Sequence, residues 1–419
     1  MPRLMDRIAL SLLLIPILVA GCRQQKPAVD FDHPLPPGTL ALRKLSPGEY
    51  PDFSRCTWNL ALLPRSIDAS IKYLGHPSSR QFFPYMDITH ERAVATLLAF
   101  RDVIAAATSR SDAGPFIDQQ IRERFEVYKS IGAPRPGGDG YTERVLFTGY
   151  YTPIFDASPT PVGDFRWPVY RRPPDLVSDE MGRTLGRRTP EGQIVPYWTR
   201  RQIEAEGRLA GHELLYLNSR WAAYVVTVQG SAKLRMPDGS MKEIGFAGHN
   251  GHEYTSPGRR MVADGVIEAR SLNFRTLSNY FAAHPDAMDR YLWLNDRTVF
   301  FTERPGGPFG ALNVPVTQFA SIATDKNDLP NAYPRAMPAF LSVPIPRTDN
   351  PAQNWHFTGF MMDQDSGGAI RASGRCDIYM GEGAAGEQLA GHQLNEGELY
   401  YIALKHELVA GYLARQSTN

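Results

Sequence analysis

The sequence predicts a mainly β fold with a few peripheral helices. From residue 144 to residue 413, short apolar runs with period-2 alternation are separated by Gly and Pro, as in strands joined by turns. Asp238-Gly239, a strong hairpin signal, lies inside one of these runs. Helical spacing is concentrated before residue 132. At 419 residues, the chain is long enough for two domains with separate cores.

The composition is that of an ordinary globular protein. Hydrophobic residues make up 42% of the chain and charged residues 21%, and the formal net charge is +1. This balance lacks the basic excess that draws proteins to the phosphates of DNA or RNA. We therefore expect no nucleic-acid partner.

The first 22 residues resemble a bacterial lipoprotein signal peptide with its lipobox. Arg3 and Arg7 precede an apolar run at residues 8–20, and the tetrapeptide V-A-G-C ends at Cys22. A short transmembrane anchor is the alternative, but the run is too short to span a bilayer comfortably. The signal implies a lipid anchor at Cys22. Because Arg23 follows, rather than the Asp that resembles an inner-membrane retention signal, we expect the protein at the periplasmic face of the outer membrane.

Residues 23–52 are predicted to be a flexible tether. They are polar, and they contain six prolines, which block helices and central strands alike. Three helices follow the tether. The first is predicted to begin at Ser66, the second at Asp87 or Thr89, and the third at Pro115 with an end near residue 132.

In the middle of the chain, strands are predicted to outnumber helices. The clearest strand-like runs are residues 214–229 and 233–251, and the second contains the hairpin signal. Helical spacing occurs at residues 199–206 and 276–293. We find no internal repeat and no low-complexity run.

Two aspartates stand in short apolar runs of the C-terminal part. An unpaired carboxylate is rare in a buried strand, which makes Asp365 and Asp377 candidates for chemistry. Gly367 ends the first run, and alternation in the second puts Asp377 and Tyr379 on one face. A third acid, Asp325, lies upstream. If the three converge, each charge raises the free energy of ionising the others, so that one acid can stay protonated as a general acid.

The tripeptide at Asp365 also has a purely structural interpretation. Asp-Ser-Gly is a common turn after a strand, because Asp and Ser bond their own backbone and Gly accepts positive φ. Aspartic proteases use a similar turn, but their chemistry needs two such turns that share a proton, and the sequence shows one.

Several segments have a composition that suits sugars. Aromatic faces pack against pyranose rings, and hydroxyl and amide groups bond the ring substituents. Buried core aromatics are the alternative for each tyrosine. The candidate substrate-binding residues are Thr148, Gly149, Tyr150, Tyr197, Gln229, Gly230, Ser231, Asn250 and Tyr254.

We expect neither a cofactor nor a metal. The spacing of His249 and His252 matches no common zinc pattern, and no phosphate-binding or dinucleotide-binding loop occurs in a strand-to-helix context. Apart from Cys22, the chain has Cys56 and Cys376, which can form a disulfide or remain buried thiols; the sequence leaves both open.

Eight segments in one order resemble the MltA family of membrane-bound lytic transglycosylases, over residues 125–404. They are F-T-G-Y-Y-T-P, Y-R-R-P-P-D-L-V, V-P-Y-W-T-R-R-Q-I-E, V-Q-G-S-A-K-L, F-A-G-H-N-G-H-E-Y-T-S-P-G-R, G-A-L-N-V-P-V-T, D-Q-D-S-G-G-A-I-R and C-D-I-Y-M-G. The resemblance implies a double-psi β-barrel domain at residues 53–153 and 297–415. It also implies an inserted β-domain at 154–296, which forms the other wall of a glycan groove.

The resemblance further implies the reaction and its residues. Members cleave peptidoglycan glycan strands without water, and the catalytic acid of the family maps to Asp377, with Asp365 and Asp325 in support. The chain departs from the family at Asp325, since T-D-K stands where Val-Asp-Pro is more usual, and Asp328 competes for this role. Cell-wall synthesis or division proteins are possible partners. The alternative is a peptidoglycan-binding lipoprotein that does not cleave.

Overall fold

The computed structural model describes residues 29–416 except 37, 139, 181, 269–270 and 327–331. The signal peptide, Cys22 and Asp328 lie outside the described residues. Within the described part of the chain, no helix combines the length and the apolar character needed to cross a membrane.

Three helices precede the second strand, and the other described helices lie between later strands or after the last described strand. The strands are β1 (Leu42–Lys44), β2 (Phe125–Ser130), β3 (Val145–Thr152), β4 (Ile154–Ser158), β5 (Trp167–Tyr170), β6 (Leu176–Ser178), β7 (Thr184–Arg188), β8 (Ile194–Val195), β9 (Glu213–Leu217), β10 (Ser231–Arg235), β11 (Met241–His249), β12 (Val299–Glu303), β13 (Ser321–Ala323), β14 (Pro338–Pro346), β15 (Asn354–Asp365), β16 (Arg375–Glu382) and β17 (Leu394–Leu404). The helices are α1 (Leu63–Leu74), α2 (His90–Thr108), α3 (Ala113–Arg124), α4 (Arg200–Ala205), α5 (Arg220–Gln229), α6 (Pro257–Ala263), α7 (Phe274–Ala283), α8 (Ala287–Leu292), α9 (Gly383–His392) and α10 (His406–Gln416).

Six strands close into a barrel. Strands β3, β16, β13, β15, β14 and β17 are hydrogen-bonded in that order, and β17 pairs with β3 again. The pairs β3–β16 and β13–β15 are parallel, and the other pairs of the ring are antiparallel. β1 and β2 extend the sheet beyond β17. The prediction of a mainly β fold is confirmed.

The barrel core is apolar and is covered by helices. Phe340 and Phe360, from neighbouring strands, have ring centroids 5.1 Å apart, and both rings contact Phe53. Helix α1 contacts β15, and α2 contacts β17. Cys56 and Cys376 are both buried as free thiols, which resolves the alternative that the sequence left open.

A second sheet follows β3 directly. Its six strands have the order β12-β11-β10-β4-β9-β5, and a separate three-stranded sheet contains β6, β7 and β8. Leu215, Leu217, Leu234 and Phe301 are buried in the core of the second sheet. Residue 153 is the only residue between the barrel strand β3 and the second-sheet strand β4.

Two of the predicted boundaries need correction. β12 belongs to the second sheet because it pairs with β11, so the barrel does not resume at residue 297 as predicted. The final part of the predicted tether belongs to the fold, because β1 pairs with β2 and Ala41, Leu42 and Leu45 are buried. Buried apolar residues at the end of the proline-rich segment outweigh its tether-like composition.

The helix predictions were partly right. Thr89 starts α2, since its side chain accepts a hydrogen bond from the Arg92 N–H. α1 begins at Leu63, three residues before Ser66, which is buried. α3 ends at Arg124, and the apolar residues after it continue as β2, which pairs with β17. Here the change from helical to strand periodicity occurs without a Gly or Pro.

In the second domain, one predicted strand is a helix. Residues 214–229 form β9 and then α5, whose Ala222 N–H donates to the Ser219 hydroxyl at the helix start. The run of 276–293 contains two helices, α7 and α8, separated at Pro285 because proline disrupts a helix interior. The predicted hairpin is confirmed, with Gly239 at φ +83°, and α4 forms as predicted after its cap, Thr199.

Gly149 allows α9 to pack closely on β3. A Cβ at this position would lie 2.7 Å from the Cα of Ala390, which is backbone and cannot rotate away. We therefore expect Gly149→Ala to lower the free energy of unfolding by about 1–3 kcal/mol in urea titrations. Gly391→Ala is the control, because a Cβ there meets no atom within 4 Å and alanine favours the helix. Equal stability of the two variants would contradict this assignment.

Candidate active site

The two aspartates of the apolar strands lie one strand apart at the same end of the barrel. β13 runs between β15 and β16, and Ala323 at its end is the register partner of both Asp365 and Asp377. Register partners point to the same face of a sheet, and two strand spacings place their Cα atoms about 10 Å apart. Asp325 follows β13 by two residues, at the same end.

Asp377 is held by groups from β3 and from its own strand. Thr148 is its register partner on β3 and donates its hydroxyl to one carboxylate oxygen. The Arg375 guanidinium lies 3.5 Å from the same oxygen and donates to the Thr148 hydroxyl at 3.0 Å. The Asp377 side chain remains 18% exposed, so a ligand can reach its carboxylate.

Asp365 is also partly buried. One carboxylate oxygen accepts hydrogen bonds from the N–H groups of Ala311, at 2.7 Å, and Ser366, at 2.8 Å. Burial raises the pKa of Asp365 to about 6, although these N–H groups and the Tyr150 hydroxyl favour the carboxylate. Asp365 is therefore a carboxyl group that titrates close to neutral pH.

Two tyrosines stand next to the aspartates. The rings of Tyr150 and Tyr379 have centroids 5.2 Å apart, and the Tyr379 hydroxyl lies 2.9 Å from that of Thr152. Burial raises the pKa of Tyr150 well above its ordinary value, and the nearby Asp365 charge raises it further. The Tyr150 phenol is thus neutral, and its buried hydroxyl, which has no hydrogen-bond partner in the described structure, lies beside the carboxyl groups.

The loop after Asp365 contacts the second domain. A Cβ on Gly368 would lie 2.9 Å from the Arg297 Nε, so this guanidinium packs directly on the loop backbone. Arg297 also donates to the His252 carbonyl at 3.1 Å, and burial lowers its pKa to about 10. Arg371, from the same loop, forms an ion pair with Glu253. The Asp-Ser-Gly-Gly turn and the loop after it therefore contact the second domain.

Comparison with known proteins agrees with this architecture. The sequence model described as the MltA specific insert domain matches residues 146–302, and the one described as the 3D domain matches residues 320–403. The chain is 31% identical over 274 residues to membrane-bound lytic murein transglycosylase A of Escherichia coli (strain K12), a match that covers 64% of this chain and 67% of that protein. The chain belongs to the MltA family.

Further MltA relatives and solved structures support the assignment. The Vibrio cholerae membrane-bound lytic murein transglycosylase A is 27% identical over 281 residues, or 66% of this chain and 70% of that protein. A crystal structure of the Agrobacterium tumefaciens membrane-bound lytic murein transglycosylase has a TM-score of 0.69 at 25% identity and covers 89% of this chain and 100% of that one. The structure of E. coli MltA with bound chitohexaose has a TM-score of 0.63 at 23% identity, covers 90% and 98%, and shares the fold. The predicted double-psi β-barrel with an inserted domain is confirmed.

A buried ion pair lies next to Asp325. Lys326, the residue after Asp325, pairs with Asp363, and the two side chains are 1% and 0% exposed. The ammonium also donates to the Asp365 carbonyl and to Thr324, both at 2.8 Å, and Tyr401 donates to Asp363 at 2.8 Å. Burial lowers the pKa of Lys326, and Asp363 opposes this effect.

Sequence reasoning missed both members of this pair. The signal was present, because Asp363 stands in the same apolar run as Asp365 and a buried carboxylate needs a partner. Lys326 follows β13, whereas Asp363 lies on β15. The sequence alone does not show that these two strands are neighbours, so it could not identify Lys326 as the partner. The pair ties the segment that contains Asp325 to the end of the strand that contains Asp365.

Two predicted sugar-binding residues belong instead to the core of the second domain. Tyr197 is 3% exposed, packs on Phe300 and donates its hydroxyl to Asp175 at 3.0 Å. Asn250 is 1% exposed, and its side chain bonds the backbone of Trp198, Asp296 and Thr298. These contacts use the polar groups of both side chains, so neither provides a sugar-binding surface.

The remaining candidates differ in their distance from the aspartates. The Gln229 side chain accepts a hydrogen bond from the Tyr151 N–H at 3.3 Å, which places it against β3. Gly230 ends α5 at φ +76°, and Ser231 begins β10. The Tyr254 hydroxyl is buried beside Tyr224, and burial raises its pKa. Gly149 serves the packing of α9, whereas its neighbours Thr148 and Tyr150 reach the aspartates.

The histidines of the second domain are engaged in local contacts. His249 accepts from the Gly251 N–H at 2.9 Å, and burial together with nearby Arg297 lowers its pKa to about 3. His252 bonds the Tyr197 carbonyl at 2.8 Å. Among the described residues, the one cluster with metal-ligand geometry contains Asp87, Glu126 and His406, far along the chain from these histidines.

The pKa of Asp365 predicts a pH-dependent change in stability. Because burial raises it from 3.8 to about 6, the folded chain holds this proton more tightly than the unfolded chain does. Asp365 therefore lowers the free energy of unfolding as the pH rises from about 4 to 6, and by up to about 3 kcal/mol above that range. We expect Asp365→Asn to raise Tm at about pH 8 and to have a smaller effect at about pH 4.

Asp164→Asn is the control for this measurement, because the Asp164 side chain is 90% exposed. Thermal unfolding across the pH range should show little difference between this variant and the parent. If Asp365→Asn changed Tm by the same amount at every pH, the assignment of a raised pKa would be wrong.

Proposed function

We propose that this chain is a peptidoglycan lytic transglycosylase that uses Asp377 as its single acid and base. It cleaves the β-1,4 bond between N-acetylmuramic acid and N-acetylglucosamine and leaves 1,6-anhydro-N-acetylmuramic acid ends. The supporting observation is a partly exposed carboxylate, Asp377, in contact with a hydroxyl and a guanidinium at one end of an MltA-family barrel. The relatives named lytic murein transglycosylase A and the MltA structure with chitohexaose support the substrate class.

The reaction needs one carboxyl group in two protonation states. Protonated Asp377 gives its proton to the glycosidic oxygen as the bond from that oxygen to C1 breaks. The Asp377 carboxylate then takes the proton of the C6 hydroxyl as O6 bonds to C1. No water is consumed, and Asp377 is protonated again at the end. Hydrolytic glycosidases instead need a second carboxylate, to activate water or to attack the sugar.

The neighbours of Asp377 suit these two states. Thr148 donates to the carboxylate, and the Arg375 charge stabilises it after the first proton transfer. Asp365 accepts two backbone N–H groups, which hold its carboxylate in place and favour a supporting role. We assign the same supporting role to Asp325.

The second domain is proposed to form the other wall of the glycan groove. Arg297 and Glu253 place this wall against the loop that follows Asp365. Gln229 bonds the Tyr151 N–H of β3, the strand that also contains Thr148. Thr148, Tyr150, Gln229, Gly230, Ser231 and Tyr254 remain the proposed contacts to glycan.

We further propose that a lipid at Cys22 anchors the chain to the periplasmic face of the outer membrane. The curated relatives are named membrane-bound, and the sequence before Cys22 resembles a lipoprotein signal. We expect Cys22→Ser to prevent labelling by radioactive palmitate and to release the chain from membrane fractions of the producing bacterium. Continued labelling of this variant would exclude Cys22 as the lipidation site.

Asp377→Asn tests the catalytic proposal. Incubation of the parent protein with purified peptidoglycan should release muropeptides that are one water lighter than hydrolytic products, as weighed by mass spectrometry. Loss of general acid and base function should reduce this release at least about 100-fold. Asp164→Asn, an exposed substitution, should release products at the parental rate.

The other outcomes separate the rival functions. Products with reducing ends would identify a hydrolase with a second carboxylate. If the parent protein released nothing but still sedimented with peptidoglycan, the non-catalytic binding lipoprotein would be correct.

A further inference from the structure

The segment before the first strand lies against the start of β16. A Cβ on Gly374 would lie 2.7 Å from the Phe31 carbonyl oxygen and 3.1 Å from the Phe31 Cα. The backbone at residue 31 therefore packs on the residue that precedes Arg375. The sequence predicted only a tether here, so this contact was not expected.

The next residue, Asp32, bonds two arginines from different parts of the fold. One carboxylate oxygen accepts from Arg375 at 2.8 Å, and the other pairs with Arg259 of α6. The side chain of Asp32 is 24% exposed, and that of Arg375 is 13% exposed. Ion pairs in such partly enclosed positions are less screened by solvent than surface pairs.

Arg375 thus lies between two carboxylates. Its Nη1 donates to Asp32, whereas its Nη2 donates to Thr148 and lies 3.5 Å from Asp377. Among the residues that the structure describes, no second cation forms an ion pair with Asp377. The charge of Arg375 is therefore shared between the two acids, and the direction of its Nη1 is set by Asp32.

This sharing matters for a general acid. A cation beside a carboxyl group favours its ionised form, which has no proton to give. The other groups near Asp377 are Tyr379 on its own strand, Tyr150 on β3, Asp365 at the end of β15 and Asp325 after β13. Neither tyrosine carries a charge at neutral pH. Lys326 is paired with Asp363, and Arg375 is the cation that forms an ion pair with Asp377, so the charge of Arg375 is the one to be compensated.

We propose that Asp32 is a positioning residue for catalysis, which holds Arg375 and compensates its charge so that Asp377 keeps a proton for the glycosidic oxygen. Asp32 does not touch the reacting atoms and acts through Arg375. The inference rests on the proposed function, in which Asp377 is the acid. It also gives the segment before β1 a role in the chemistry of the barrel.

The experiment measures kcat and KM of the full chain in detergent, on purified peptidoglycan, as a function of pH. In Asp32→Asn, Arg375 has Asp377 as its remaining acidic partner. We expect the alkaline limb of the kcat profile to move to lower pH by about one unit, so that kcat at pH values above the limb falls about tenfold. We expect KM to change less than about twofold. Asp32→Glu should return the limb to its parental position.

A second background separates charge compensation from structural support. In Arg375→Gln there is no guanidinium to compensate, so adding Asp32→Asn should leave the limb where Arg375→Gln alone places it. The inference would be wrong if Asp32→Asn did not move the alkaline limb, or if it moved the limb equally in both backgrounds. It would also be wrong if the loss of rate were explained by a lower Tm alone. Absence of anhydro products from the parent protein would instead refute the proposed function.

Discussion

The structure depends on the double pairing of β3. One edge of this strand pairs in parallel with β16, and the other pairs antiparallel with β17, which closes the barrel. Backbone groups of a buried strand must be hydrogen-bonded, so neither partner can be lost without exposing an unpaired edge. The same register places Thr148 opposite Asp377. Closure of the barrel and assembly of the site are therefore one event.

The charges at this end of the barrel occur in compensated sets. Lys326 contacts the backbone of Asp365 but pairs with Asp363, and Arg375 contacts Asp377 but also pairs with Asp32. Each of these two cations is thus paired with a carboxylate other than the site aspartate that it contacts. A cation that is paired in this way can still orient a site aspartate. It favours the ionised form of that aspartate less than an unpaired cation would.

Where local periodicity decided the structure, the sequence was sufficient. The alternation from Arg375 to Met380 put Asp377 and Tyr379 on the face opposite Cys376, and the pairing of Tyr150 with Tyr379 and of Thr148 with Asp377 agrees with this, although Tyr379 is itself buried. The hairpin at Gly239 followed from its turn chemistry. In these cases, a few neighbouring residues contain all the information.

Where distant packing decided the structure, the sequence was not sufficient. Residues 220–229 have aromatic and β-branched side chains typical of strands, yet they form α5, because a Ser219 cap and burial against the second sheet outweigh propensity. Tyr197 and Asn250 have sugar-binding chemistry, but their partners Asp175 and Thr298 lie elsewhere in the chain. Asp32 and Arg375 are 343 residues apart, so no local pattern predicts their contact.

The position of the second domain has a consequence for how the chain folds. Thr148 and Asp377 are separated by 229 positions, and the domain between them interrupts the barrel after β3. Closing so long a loop of unfolded chain is entropically unfavourable and slows folding. One residue separates β3 from β4, and β12, the last strand of the insert, belongs to the same sheet as β4. If the second domain folded first, this sheet would hold the two ends of the intervening chain close together. A folded second domain thus shortens the conformational search that precedes barrel closure.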